Sequence, residues 1–173
     1  MNEIKRTLER PFPVRSLHWR VGATNKDKTS GIALAYITAR DVMNRLDEAV
    51  GFDGWECEYQ LLGSIIVCRL SLRIGATDDS QWGTKWVSRE DGAGETQVEA
   101  EKGGLSDALK RSAVRFGVGR YLYALPNVWV PLEKRGNTAY LPDSSIEMLN
   151  QRLPKWATPE GYDEIMQRRE ASE

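Results

Sequence analysis

The sequence predicts an α+β fold: a helix, a three-stranded antiparallel sheet, and a long helix packed across that sheet (a β-β-β-α core), followed by a C-terminal hairpin and further helices. Three observations carry this. Residues 36–50 repeat apolar side chains at i, i+4, i+7 and i+8 (Val42, Leu46, Ala49, Val50), the period of an amphipathic helix. Residues 55–61 and 64–74 alternate apolar and polar residues, the period of strands. Residues 95–116 then return to a helical period. A helix laid on one face of an antiparallel sheet is a stable two-layer solution.

Each element has a local reason. Residues 1–35 read as a loop-rich lead, with Pro11 and Pro13, a short strand at 17–21 and a polar turn at 25–31. Thr38 is a suitable N-cap with Asp41 as its capping-box partner, and Gly51 stops the helix. A turn at Leu62 and Gly63 sets Leu61 against Ser64, Tyr59 against Ile66 and Cys57 against Cys68, with both apolar rows on one face. Two small buried thiols are favoured over a disulfide there, since the cytoplasm is reducing. Residues 75–80 form a turn, 81–90 a third strand with Trp82, Thr84, Trp86 and Ser88 on one side, and 91–94 a loop. In the long helix Leu105, Leu109, Ser112 and Phe116 form the buried stripe. Gly103 and Gly104 cost it roughly 1 kcal/mol each, so it breaks there or lies tight against the sheet. Residues 128–141 form a hairpin turning at Gly136 and Asn137. Ser144 and Glu147 make a second capping box for a helix to Leu153, ended by Pro154, and Thr158 opens a last surface helix over 159–169. Residues 1–157 are expected to be one domain, with 158–173 a C-terminal surface helix or tail.

Composition narrows the class of function. The 173 residues carry 24 Lys and Arg against 25 Asp and Glu, which excludes binding by bulk positive charge. No apolar run spans a bilayer, and residues 1–10 have no secretory h-region, so a cytoplasmic location is expected. The single His18 argues against a His-based zinc site and a Ser-His-Asp triad. Glu95, Glu99 and Glu101 are the carboxylates nearest to a metal-binding cluster, but Glu101 leaves the face the other two share. The glycines at 117 and 119 follow a helix rather than a strand, the wrong order for a phosphate cradle and the right one for a helix stop. No catalytic set and no cofactor site are expected.

Charge is segregated along the chain. Residues 41–60 hold six acidic side chains and one basic, whereas 102–120 hold five basic and one acidic. Residues 1–28 hold seven basic and three acidic. In the long helix Arg111 and Arg115 share one flank, with Lys110 about 100° away. Such spaced cations suit a phosphate backbone; they equally suit a solvated helix face. Tyr121, Tyr123 and Trp129 suit base stacking, or packing in a core or interface.

Two motifs carry a resemblance. Leu105-Ser106-Asp107-Ala108-Leu109-Lys110-Arg111-Ser112-Ala113-Val114-Arg115-Phe116-Gly117, continuing through Gly119-Arg120-Tyr121-Leu122-Tyr123, resembles the signature helix of the Rad fifty-two / Rad twenty-two type of single-strand annealing proteins. Tyr36-Ile37, Asn44 and Gly51-Phe52-Asp53-Gly54-Trp55 resemble that family's helix-into-strand segment. The lead over residues 11–20 is similar to the prokaryotic and phage branch, which includes DdrA-like repair proteins. The resemblance covers about residues 8–130.

It implies the β-β-β-α core, subunits in a homo-oligomeric ring, and single-stranded DNA in a basic surface groove. It also implies ATP-independent annealing of complementary strands in recombination and double-strand break repair, with no catalysis and no cofactor. Lys110 and Arg111 match the family's DNA-contacting pair. Arg115, Arg120, Lys102, Lys134 and Arg135 complete the candidate DNA-binding set. Where some members have an arginine three positions after Arg111, this chain has Val114, and the arginine falls one position later at Arg115. Acidic and basic segments on one chain suit a head-to-tail ring contact. A counterpart of the long C-terminal extension of eukaryotic members is not expected. A single-strand-binding protein or a recombinase is a candidate partner, and binding of duplex DNA is left open. The rival readings are an oligomeric interaction protein that does not bind DNA and a metal-dependent nuclease.

Overall fold

A computed structural model describes residues 3–75, 85–94 and 100–172, with residues 100–102 described by backbone alone. The elements in order are α1 (Glu3–Glu9), β1 (His18–Thr24), β2 (Ser30–Tyr36), α2 (Ala39–Val50), β3 (Trp55–Leu62), β4 (Ile65–Ile74) and β5 (Lys85–Gly94). After them come α3 (Ala100–Val114), β6 (Val128–Pro131), β7 (Glu133–Arg135), β8 (Thr138–Tyr140), α4 (Asp143–Gln151) and α5 (Pro159–Glu170). The mixed α+β class is as the sequence predicts. The chain forms two compact units: Met1–Arg10 with Thr38–Arg120, and Pro11–Ile37 with Tyr121–Glu173.

The first unit holds the expected core. Strands β3, β4 and β5 form an antiparallel sheet in that order, and α3 lies over β4 and β5. Helix α2 begins as predicted: Thr38 Oγ1 accepts from the Asp41 N–H at 3.2 Å, and Asp41 accepts from the Thr38 N–H at 2.8 Å. It ends at Gly51 (φ 82°). The α1 helix replaces the loop expected at the N-terminus, with Leu8 buried. It is tied down by the buried Arg45 guanidinium, which donates to the carbonyls of Thr7 and Arg10.

The hairpin register differs from the expectation by two residues. Leu62 faces Ile65, so the turn is Gly63 and Ser64. The left-handed φ of 62° then falls on Gly63 instead of forcing a leucine into that region. Cys57 therefore opposes Leu70, Cys68 opposes Tyr59, and both cysteines are free thiols. Strand β5 continues through Asp91–Gly94, where a loop was expected, and pairs with Ile65–Cys68. The close packing there suits glycine: a Cβ on Gly92 would lie 2.7 Å from Ile65 Cγ2. Trp82 and Thr84 of the expected strand lie outside the described residues, as does most of the expected turn before it, Asp78 and Asp79 included.

Gly103 and Gly104 do not break α3. Added to Gly104, a Cβ would lie 2.6 Å from Ile66 Cδ1, so this glycine is where the helix backbone presses on the sheet. The buried face is Ala108, Leu109, Ser112 and Ala113; Leu105, expected inside, is exposed and Phe116 half-buried. The helix stops as its glycine predicted. Gly117 (φ 109°) donates to the Val114 carbonyl at 3.0 Å, and buried Val118 donates to the Ala113 carbonyl at 3.2 Å, a Schellman closure.

In the second unit β2 pairs with both β1 and β6. The strand expected at 17–21 runs as β1, and the polar turn is real: Asn25 Oδ1 accepts from the Thr29 and Ser30 N–H groups. Strand β2 was not expected, because its inward row is only Gly31, Ala33 and Ala35. The turn at Gly136 and Asn137 closes β7 on β8, but residues 128–131 leave that hairpin to pair with β2. Ala33, Val130, Leu132 and Leu149 form the core, with Trp19 packed on it and donating to Asn150 Oδ1 at 2.8 Å. The second capping box does not form. Helix α4 starts one residue early behind Pro142, which leaves Ser144 inside its first turn. The neighbouring Ser145 hydroxyl donates instead to the Pro131 carbonyl at 2.9 Å. Helix α5 opens as predicted, with Thr158 Oγ1 accepting from Gly161 N–H at 3.2 Å.

Candidate nucleic-acid interface

The long helix and the strand beneath it assemble the cations of the first unit. Register places Asp91 of β5 opposite Cys68 of β4, on the sheet face that α3 covers. The buried Ser112 hydroxyl fixes the helix over that point. It donates to the Cys68 carbonyl at 2.7 Å and accepts from the Asp91 N–H at 3.0 Å. One residue before Ser112 and three residues after it, the exposed flank carries Arg111 and Arg115.

On that flank Arg111 and Arg115 converge on the Asp91 carboxylate, at 3.0 and 3.7 Å. Arg115 also donates to the Glu90 carbonyl at 2.8 Å. Both arginine side chains are about half exposed, 50% and 54%. The displaced arginine at 115 thus shares a flank and a counter-ion with Arg111. Lys110 points to the neighbouring side of the helix, where it pairs with Asp107 at 2.9 Å and is less exposed. Arg120 folds back and donates to the Val114 and Arg115 carbonyls at 3.0 and 2.9 Å. It satisfies carbonyls that the helix end leaves open and offsets the negative end of the helix dipole.

Arg89 was missed by sequence reasoning. It faces Leu70 in the ladder and lies 5.8 Å over the Phe116 ring, at the same end of the helix. Only the β5 register reveals it, because the alternation of residues 81–90 gives no sign of which face meets the helix. The arrangement is a row of exposed guanidinium groups around one carboxylate, in which each ion pair is worth only about 0–1 kcal/mol. Such pairs exchange readily for phosphate oxygens, which take Arg in the same forked geometry.

The remaining predicted residues fall elsewhere. The side chain of Lys102 lies outside the described residues. Lys134 and Arg135 belong to the second unit, exposed on β7, with Arg135 5.5 Å over the Tyr140 ring. Of the aromatics, Tyr121 is structural: its hydroxyl accepts from the Phe12 N–H at 3.0 Å. Tyr123 and Trp129 are 75% and 54% exposed. Among the described residues no group of three His, Cys, Asp or Glu side chains suits a metal ion, and Glu95, Glu99 and the Glu101 side chain lie outside them. No helix among the described residues is long and apolar enough to cross a membrane.

Residues 1–139 match the model of the Rad52/22 family double-strand break repair proteins. The chain is 34% identical over 163 residues to the single-stranded DNA-binding protein DdrA of Deinococcus radiodurans, covering 92% of this chain and 70% of that protein. It is 35% identical over 162 residues to the protein of the same name from Deinococcus deserti, covering 92% and 72%. The match spans the β-β-β-α core and the cationic helix end alike, and the chain belongs to the Rad52/22 family of double-strand break repair proteins.

Proposed function

We propose that this protein binds single-stranded DNA and anneals complementary strands, without ATP and without a catalytic residue, in recombination and double-strand break repair. The observation that carries the reading is the exposed Arg111–Arg115–Asp91 cluster beside Lys110, at the end of the helix that lies inside the family match. Annealing needs phosphate repulsion screened while base edges stay open to a second strand. Arginine and lysine contacts to the backbone do the first without obstructing the second. Residues 1–157 act as the annealing domain, assembled into a homo-oligomeric ring in the cytoplasm. A ring lays many weak sites along one strand, so modest affinity per subunit suffices. Acidic residues 41–60 of one copy facing a basic segment of the next suit the head-to-tail contact.

The test is Lys110→Ala combined with Arg111→Ala, measured by binding of a single-stranded oligonucleotide across a salt series. Each lost phosphate contact lowers the slope of log K against log salt by about 0.7, so the pair lowers it by about 1.4. The loss is uniform across sequences, and annealing of complementary oligonucleotides falls with it. An unchanged slope rejects the assignment of this helix end as the phosphate contact.

A further inference from the structure

Each cation at the end of α3 already holds a carboxylate of its own unit. On one flank Asp91 takes Arg111 on Oδ1, from Nη2 at 3.0 Å and from Nε at 3.1 Å. Its Oδ2 faces Arg115 Nε at 3.7 Å. On the neighbouring side Asp107 takes Lys110 at 2.9 Å, one turn apart in the same helix. Three cations thus face two carboxylates. Asp107 is exposed and Asp91 partly so.

Neither carboxylate depends on its cation. Asp91 Oδ1 also accepts from the Gly92 N–H at 2.8 Å, a bond it keeps when Arg111 leaves. Asp107 is open to water and hydrates when Lys110 leaves. Arg115 keeps its own anchor, the Glu90 carbonyl at 2.8 Å. A buried pair would resist such a change, because the partner left behind is stranded without water. Exposed pairs are weak and carry no such penalty.

Each cation therefore has two satisfied arrangements: on its carboxylate, or on a phosphate with the carboxylate in water. Phosphate binding is then an exchange. It also reverses easily, since a carboxylate stands ready to take each cation back as the phosphate leaves. Annealing needs that step, because a strand held for pairing must be let go once the duplex has formed. We propose that Asp91 and Asp107 are positioning residues for release, acting through Arg111, Arg115 and Lys110 to set how fast the site lets go of DNA. The proposal rests on the single-strand binding proposed above. It assigns the turnover of that site to two side chains that themselves touch no DNA.

The test compares wild type, Asp91→Asn/Asp107→Asn, Asp91→Glu/Asp107→Glu and, as a control, Glu160→Gln/Glu164→Gln, which makes an equal charge change on α5. Each is bound to a fluorescent thymidine oligonucleotide. Dissociation is timed by stopped flow after an excess of unlabelled oligonucleotide is added. The asparagine pair is expected to slow dissociation about threefold or more, since three exposed ion pairs at roughly 1.4-fold each multiply to that. Association changes by less than about twofold. Annealing of complementary oligonucleotides is retained with protein in excess and slows with DNA in excess, where release limits turnover. The glutamate pair restores release, and the α5 control matches wild type. Dissociation that is unchanged or faster in the asparagine pair overturns the proposal. So does an equal slowing in the α5 control, which assigns the effect to net charge. Asp107→Asn alone, at an exposed helix position, serves where the double variant misfolds, with dissociation slowed about 1.4-fold. A wild type that binds no oligonucleotide overturns both this proposal and the single-strand reading beneath it.

Discussion

Replacing Asp91 by Asn removes one negative charge from the centre of the arginine cluster without changing side-chain volume. Asn Oδ1 retains the 2.8 Å hydrogen bond accepted from the Gly92 N–H, so the strand is undisturbed. At 3.0 and 3.7 Å the carboxylate attracts Arg111 and Arg115 by about 1.4 and 1.1 kcal/mol at the dielectric of water. Exposed pairs realise roughly 0.2–1 kcal/mol each after screening and side-chain entropy. A phosphate that takes over both arginines must replace about 0.4–2 kcal/mol in total. Asp91→Asn is therefore expected to tighten single-stranded DNA binding by roughly 2- to 30-fold. Fluorescence anisotropy with a thymidine oligonucleotide at about 50 and 200 mM salt measures this, and the gain shrinks at the higher salt. Weaker binding by a folded Asp91→Asn variant refutes the reasoning. Asp91 would then be a splint that aims the guanidinium groups, and not a competitor for them.

Two further expectations concern the frame that carries the cluster. Ser112→Ala leaves the Cys68 carbonyl and the Asp91 N–H without their shared hydroxyl, at a cost of roughly 2–3 kcal/mol. Urea denaturation reads this as a lower midpoint at unchanged m, and a cost below about 0.5 kcal/mol rejects the bridging role. Burial first, and the neighbouring Cys57 second, push the Cys68 thiol up to about 11, above the roughly 8.5 of an unfolded chain. A raised acid stabilises the fold fully below the unfolded value and loses that contribution as pH climbs through the folded one. Stability is expected to fall between about pH 8.5 and 11. Cys68→Ala flattens that part of the profile, and an unaltered slope in the variant contradicts the assignment.

Local signals read well from the sequence, and long-range pairing did not. The Thr38 capping box, the Gly51, Gly117 and Gly136 conformations and the Thr158 cap are decided within a few residues, so spacing alone located them. The hairpin register illustrates the limit. A slip of two residues keeps every apolar side chain on its face, so agreement of the two apolar rows cannot separate the observed pairing from the expected one. The positive φ at Gly63 does separate them. Strand β2 has no sequence signal because Gly31, Ala33 and Ala35 give no apolar contrast, and the strand expected at 128–131 takes a partner other than its hairpin neighbour because β2 lies about a hundred residues earlier in the chain. The pairing of Arg111 with Arg115 was visible as an i, i+4 spacing. Asp91 and Arg89, which complete the cluster, come from a strand whose register only the fold supplies.

Gly104, Ala108 and Ser112 recur every fourth residue along the sheet-facing side of α3, and together they set how low the helix sits. Side chains this small fix a clearance. The arms of Arg111 and Arg115 are of fixed length, so that clearance decides whether they reach β5 or stand away from it. A bulkier residue anywhere in the row acts as a shim, lifting the cations off their seat without touching one of them. Substitutions in the hidden row would then appear as binding defects, and a surface map of tolerated changes would miss them.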